Sequence, residues 1–260
     1  MSDLLAQSHS DGIATLTLSS PGNLNALSRA MLLQLEAALA GLARDPAIRV
    51  VILRAEGKNF CAGHDLKEIQ AARNASDGGA AAIADLFDLC ARVMQAVVAL
   101  PQPVIASVQG VATAAGCQLA ASCDLIVAEE TARFGVNGIN IGLFCSTPMV
   151  ALTRKLAPAA AFELLTTGDF LPAARAQALG LVNRIAAPGA LGDETLALAR
   201  SIAAKDPAAI RLGKQAFRAQ AGLPLDQAYA VAGAVMVENA LLPATAAGIQ
   251  TFLDRRAPKT

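Results

Sequence analysis

The sequence predicts an α/β protein with a largely parallel sheet, followed by a helical C-terminal segment, and three observations carry that prediction. Short apolar runs of strand length alternate with longer amphipathic segments. The runs at residues 50–53 (Val-Val-Ile-Leu) and 104–108 (Val-Ile-Ala-Ser-Val) are near-continuous, as strands covered on both faces are. Strand signals then stop near Leu191, and the remaining chain is helical in pattern.

Taken in order, residues 12–18 (Gly-Ile-Ala-Thr-Leu-Thr-Leu) alternate apolar and hydroxyl side chains with period two and read as a half-buried strand ending at Pro21-Gly22. Ser28 is placed as an N-cap, and Leu32, Leu35, Leu39 and Leu42 recur at steps of three and four, giving an amphipathic helix. After the strand at 50–53 come a helix over about residues 80–100, the strand at 104–108, a small-residue helix from about Ala114, and a strand at 125–127. In the tail, Asp206-Pro207 is an N-cap followed by proline at the first helical position, and Pro224 and Pro243 mark further helix starts. The reading is of a core over residues 1–195 and a helical segment over 196–260, with no Gly/Ser or charged linker between them. That segment is apolar on more than one face, which suits packing on its own domain or on another subunit. Asp77-Gly78-Gly79 is the one flexible-looking loop, expected to be mobile and near a ligand.

Composition narrows the function classes. The 260 residues hold 21 basic and 21 acidic side chains, so the chain lacks the overall positive field of a polyanion binder. With 3% aromatic residues and no Trp, stacking platforms for single-stranded nucleic acid are nearly absent. Alanine exceeds a fifth of the chain, which predicts close contacts between small side chains. The five cysteines, Cys61, Cys90, Cys117, Cys123 and Cys145, are odd in number and lack C-x-x-C pairing, which points to a reducing compartment such as the cytoplasm. His9 and His64 are the only histidines and neither has ligand spacing to a second His or Cys pair, so no metal site is expected. The N-terminus lacks a basic region followed by an apolar core, and no apolar tract reaches the ~20 residues of a spanning helix.

Two segments carry chemistry. Residues 58–66 (Lys-Asn-Phe-Cys-Ala-Gly-His-Asp-Leu) follow a buried strand, and residues 103–124 run Pro-Val-Ile-Ala-Ser-Val-Gln-Gly-Val-Ala-Thr-Ala-Ala-Gly-Cys-Gln-Leu-Ala-Ala-Ser-Cys-Asp. With Asn25-Ala-Leu, Phe134-Gly135, residues 165–169, residues 178–182 and Phe252-Leu-Asp-Arg-Arg256, in that order over nearly the whole chain, they resemble the enoyl-CoA hydratase/isomerase (crotonase) superfamily. The stretches 117–124 and 138–148 resemble its domain-containing-protein-3 branch, which is named for a hydratase domain rather than for a reaction. The resemblance implies a crotonase-like ββα spiral core, acyl-CoA thioesters as substrate or ligand with no covalently bound cofactor, and self-association as a homotrimer or a dimer of trimers.

The local chemistry agrees with it. A turn at Ala62-Gly63-His64 before a helix opening at Asp65 presents backbone N–H groups, and Thr113-Ala-Ala-Gly116 opens a second helix where a ligand can approach the backbone. Two such donors aimed at one oxygen form an oxyanion hole for a thioester enolate. By the family pattern the donors are the amides of His64 and Ala115, the adenine lies against the backbone of Cys61, Ala62, Gly63, Asp65 and Leu66, and Lys58, Arg29, Arg255 or a neighbour's Lys259 are candidate phosphate partners. The family's hydratases add water with two glutamates. Here those positions hold Gln118 and Gly138, neither of which can transfer a proton near neutral pH. Two functions therefore stay open: an enzyme that stabilises a thioester enolate without the two glutamates, by decarboxylation or thioester hydrolysis, and a non-catalytic acyl-CoA-binding or assembly protein.

Each singled-out side chain also has a plainer reading. His64 can act through its imidazole or only through its amide, Gln118 can orient a ligand or merely fill space, and Cys145 can be a pocket thiol or an inert buried one. Asp65 reads as an N-cap, Asp124 as structural, Asp169 as turn chemistry and His9 as a surface residue. With two histidines, one near a terminus, a Ser-His-Asp triad is a poor fit. Gly110 and Gly116 lack the G-x-G-x-x-G of a dinucleotide fold.

Overall fold

A computed structural model describes residues 4–255, and Lys259 and Arg256 lie outside them. The chain divides into two compact units, Met1–Ile202 and Ala203–Thr260. Residue 195, read from sequence as the end of the core, lies inside the helix Leu191–Ala203, where Thr195 is buried and shares a hydrogen bond with Ser107 at 3.0 Å.

In the first unit, β1 (Leu5–Ser10) and β2 (Ile13–Leu18) form an antiparallel hairpin. Its two-residue turn, Asp11-Gly12, takes φ of 53° and 76°, the left-handed pair that such hairpins need. α1 (Arg29–Arg44) is capped by Ser28, whose side chain accepts from the Met31 N–H. It buries Met31, Leu32, Leu35, Leu39 and Leu42, each worth ~1.5–3 kcal/mol when removed from water. β3 (Val50–Ala55) exposes only Arg54, because it lies between β2 and β4 (Val104–Val108) in the sheet. The six-stranded sheet has the order β1-β2-β3-β4-β6-β9, with β6 Leu125–Glu129 and β9 Arg184–Ala186, and every pairing after the first hairpin is parallel. A second sheet joins β5 (Val111–Thr113), β7 (Arg133–Gly135) and β8 (Phe170–Pro172). Among the helices of this unit are α2 (Leu66–Ala72), α3 (Ala80–Ala99), α4 (Ala115–Ser122) and α5 (Ser146–Leu152). Phe60 and Phe134 are the largest side chains completely buried.

In the loop read as flexible, the Asp77 carboxylate accepts from the Gly79 and Ala81 amides at 2.9 and 3.0 Å, at the start of α3. Asp124 is structural, as expected, accepting from the Val104 N–H at 2.8 Å.

The second unit contains the helices Pro207–Gln220, Leu225–Ala240 and Pro243–Asp254, which begin where Asp206-Pro207, Pro224 and Pro243 were read as starts. Asp206 accepts from the Ala209 N–H at 2.9 Å. Leu225, Tyr229, Met236 and Leu241 of this unit are exposed. No single helix among the described residues is long and apolar enough to cross a membrane.

Candidate functional site

The site begins with two chain segments laid backbone against backbone. Cys61 bridges Ala112 in parallel, the Thr113 N–H donates to the Cys61 carbonyl at 3.0 Å, and the Cys61 N–H donates to the Val111 carbonyl at 3.1 Å. Gly116 makes this approach possible, since a Cβ there would lie 2.2 Å from the Cys61 oxygen. Asn59 and Asn25 hold the edge: the Val111 N–H donates to Asn59 Oδ1, and the wholly buried Asn25 donates from Nδ2 to the carbonyls of Glu56 and Asn59.

Both segments end in a cavity of about 700 Å³. His64 and Ala115 line it, and neither backbone N–H donates to a protein acceptor among the described residues. Backbone N–H groups inside a protein are nearly always paired, so two without a protein acceptor in one cavity wall leave donor capacity open there. A Cβ on Gly63 would come within 3.1 Å of the Ala115 nitrogen, so the two turns touch. Ala114 holds the second turn in a strained conformation, φ 49° and ψ −123°, unusual for a residue with a side chain. Its own N–H donates to the Gly135 carbonyl at 2.9 Å, which secures the turn that leaves the next amide unpaired.

The His64 ring has Nδ1 3.3 Å from the Leu27 carbonyl, lies edge-on to Phe87 at 5.2 Å, and keeps Nε2 buried without a partner among the described residues. Burial lowers its pKa, against the smaller opposing effect of the Leu27 carbonyl, so the imidazole is neutral near pH 7. Asp65 is the N-cap of α2, accepting from the Lys67 N–H and from Asn23 Nδ2, both at 2.9 Å. Partial burial disfavours its charge, but the hydrogen bonds outweigh that and its pKa is lowered.

The other residues read from sequence divide by position. Ala62, Asp65, Leu66, Gly138 and Cys145 line the cavity with His64 and Ala115. Cys61 and Gly63 are buried behind the wall. Gln118 does not line it; its side chain is buried within α4, with Oε1 unpartnered. Lys58 is exposed and borders a separate cavity of about 220 Å³ with Glu56 and Asn59. Arg29 is exposed and its N–H donates to Glu68, while Arg255 follows the last helix and is exposed. Gly138 is tightly enclosed: a Cβ there would lie 2.3 Å from the Leu143 carbonyl oxygen and 3.0 Å from Cys145 Sγ. The cysteines are all buried and none forms a disulfide among the described residues, and burial pushes the Cys61, Cys90 and Cys117 thiols up to about 12 and raises that of Cys145. Nucleophilic thiolate chemistry at neutral pH is therefore disfavoured.

Sequence reasoning missed Lys67, the lysine that borders the cavity, and the polar wall of Thr113, Asn137, Asn140 and Thr147. Lys67 follows Leu66 directly, and its spacing from Asp65 on a short helix was the available signal. Asn137 and Asn140 lie in a short 3-10 turn, Asn137–Ile141, which carries no periodic pattern, while Thr113 ends β5 and Thr147 stands at the start of α5.

Comparison with known proteins places this geometry in company. A family model described as enoyl-CoA hydratase/isomerase matches residues 8–260. Enoyl-CoA hydratase domain-containing protein 3, mitochondrial, of Danio rerio is 41% identical over 257 residues, covering 99% of this chain and 87% of the relative. The crystal structure of an enoyl-CoA hydratase of Mycobacterium smegmatis superposes with a TM-score of 0.94 at 49% identity, covering 99% of both chains. Human enoyl-CoA hydratase domain-containing protein 3 superposes with a TM-score of 0.92 at 39% identity, covering 99% of this chain and all of that one.

Proposed function

Since the chain belongs to the enoyl-CoA hydratase/isomerase family, we propose that its cavity takes the thioester end of an acyl-CoA and stabilises negative charge on the thioester oxygen. The observation that carries this reading is the pair of unpaired amides, His64 and Ala115, in the wall of one largely apolar cavity. An oxygen accepting from both gains charge-assisted hydrogen bonds as it becomes an enolate, in a site whose donors need no reorganisation. The adenine end is assigned to the backbone of residues 61–66, with Lys67 beside it for phosphate, in place of Lys58.

The proton-transfer machinery of the family's hydratases has no counterpart at Gln118 and Gly138, and Asp65, the one carboxylate lining the cavity among the described residues, is engaged as a helix cap. Reactions that place charge on the thioester oxygen without a carboxylate base suit such a site: loss of CO2 from the acyl chain, or hydrolysis by a bound water. A non-catalytic acyl-CoA-binding or assembly role is the second reading, favoured by the same lack of acid and base. The exposed apolar residues of the helices spanning 225–254 suit self-association as a trimer or dimer of trimers. Five buried cysteines with no disulfide among the described residues suit a reducing compartment, for which the cytoplasm is proposed.

The test is to measure binding of crotonyl-CoA and a panel of acyl-CoAs calorimetrically and to follow turnover separately. Binding accompanied by crotonyl-CoA hydration far below hydratase rates is expected. Hydration at ordinary hydratase rates would overturn the assignment of Gln118 and Gly138 as disabling, and tight binding without turnover of any thioester would favour the non-catalytic reading.

A further inference from the structure

Thr113 and Asn137 form a side-chain pair in the cavity wall that the two amides do not use. β5 and β7 run parallel with Thr113 opposite Gly135. Two residues beyond that register, one segment supplies Ala115 and the other Asn137, both to the same cavity. The pairing ends there, with Ala115 opening α4 and Asn137 opening a 3-10 turn, so the ends of two paired strands deliver both residues to one cavity wall.

The Thr113 hydroxyl, in a residue only 8% exposed, donates to Asn137 Oδ1 at 2.6 Å. That separation is an O–H···O length and shorter than N–H···O bonds, so it also decides which way the amide faces. With its carbonyl engaged, Asn137 turns Nδ2 away from Thr113, and Nδ2 has no acceptor among the described residues. An amide NH2 carries two donors and no acceptor capacity. Gly138 beside it adds no side chain, and Asp65 accepts from Asn23 Nδ2 and the Lys67 amide. The wall therefore offers a neutral donor, held by Thr113, in the same cavity as the two amides, while Asp65, its one carboxylate among the described residues, is engaged as a helix cap.

The geometry points to Asn137, oriented by Thr113, as the residue that selects a thioester whose acyl chain carries an acceptor oxygen at its third carbon, as a ketone or a carboxylate. This rests on the acyl-CoA reading above. With the thioester oxygen on the His64 and Ala115 amides, the acyl chain leaves along the wall that Asn137 borders, and an oxygen at the third carbon meets Nδ2, whereas a saturated chain leaves that donor without a partner.

The experiment is calorimetric titration of the full chain with malonyl-CoA, acetoacetyl-CoA and butyryl-CoA. At least one of the first two should bind about tenfold tighter than butyryl-CoA, the worth of one good hydrogen bond, and which of them does so distinguishes carboxylate from ketone. Asn137→Ala should bring the ratio to within about twofold, Thr113→Val should reduce it, and Thr113→Ser should restore it. Should the alanine variant not fold, the nearly isosteric Asn137→Asp serves, since its carboxylate should repel malonyl-CoA far more than butyryl-CoA. Equal binding of all three by the unaltered protein, or a preference that survives loss of the amide, would overturn the inference while leaving the acyl-CoA reading intact. Binding of none of the three would overturn both.

Discussion

Gly138→Ala adds one carbon at the position that the family resemblance assigns to a hydratase glutamate, and the structure gives that carbon no room. It would lie 2.3 Å from the Leu143 carbonyl oxygen, where ordinary contact begins near 3.4 Å, so the carbonyl must retreat by more than 1 Å. The same short loop is closed by the Leu143 N–H donating to the Gly138 carbonyl at 3.0 Å, and Cys145 Sγ, 3.0 Å from the new carbon, blocks a sideways escape. Overpacking together with loss of that hydrogen bond should cost about 2–4 kcal/mol. For a unit of this size that corresponds to a fall in Tm of roughly 4–16 °C by circular dichroism. Gly41→Ala is the control, because nothing lies within 4 Å of its added carbon inside α1, and it should stabilise by about 0.5–1 kcal/mol. A Gly138→Ala protein as stable as the unaltered one would refute the reasoning, and would mean that the loop over 138–145 yields freely. If the reasoning holds, Gly138→Glu together with Gln118→Glu should not create a hydratase, since the obstruction is backbone and not merely the lack of a carboxylate.

Other expectations follow from single groups. Ala114→Gly should stabilise by roughly 1 kcal/mol in urea denaturation, because glycine adopts φ 49° and ψ −123° without the strain alanine carries. His64 has a folded pKa below 6.5, so the stability from burying its neutral ring is whole above pH 6.5 and is lost as pH falls below it; the urea midpoint should drop between pH 7.5 and 5.5, and His64→Gln should flatten that dependence. At pH 8 the native protein should react with a thiol reagent far more slowly than the denatured protein, since burial raises the thiol pKa to about 12 at Cys61, Cys90 and Cys117; fast native labelling of several thiols would contradict this.

Where the chain has a strong local pattern, sequence reading and structure agree. α1 follows from Ser28 and leucines at three- and four-residue steps, and β3 from a continuous apolar run. β1 was not read as a strand because five of its six residues are exposed, leaving no burial alternation, although Asp11-Gly12 is a strong hairpin signal. β5, β7, β8 and β9 span three residues each, too few for any periodicity. Asp77 shows what local pattern leaves out: glycines and an aspartate mark a loop, and the path of the backbone alone brings the carboxylate to the Gly79 and Ala81 amides.

The sequence by itself determined the family, the order of strands and helices, and the two turns at 62–64 and 113–116, because these depend on apolar spacing, caps and glycines that act over a few residues. It also determined that Gln118 and Gly138 offer no proton-transfer group. Tertiary structure decided what stands around those turns. It put Gln118 outside the cavity wall, enclosed Gly138 with the Leu143 carbonyl, brought Lys67 to the rim, and joined Thr113 to Asn137 across 24 positions of sequence. Such relations arise where separate strands end side by side, and no local pattern of residues encodes the distance between two chain ends that meet only on folding.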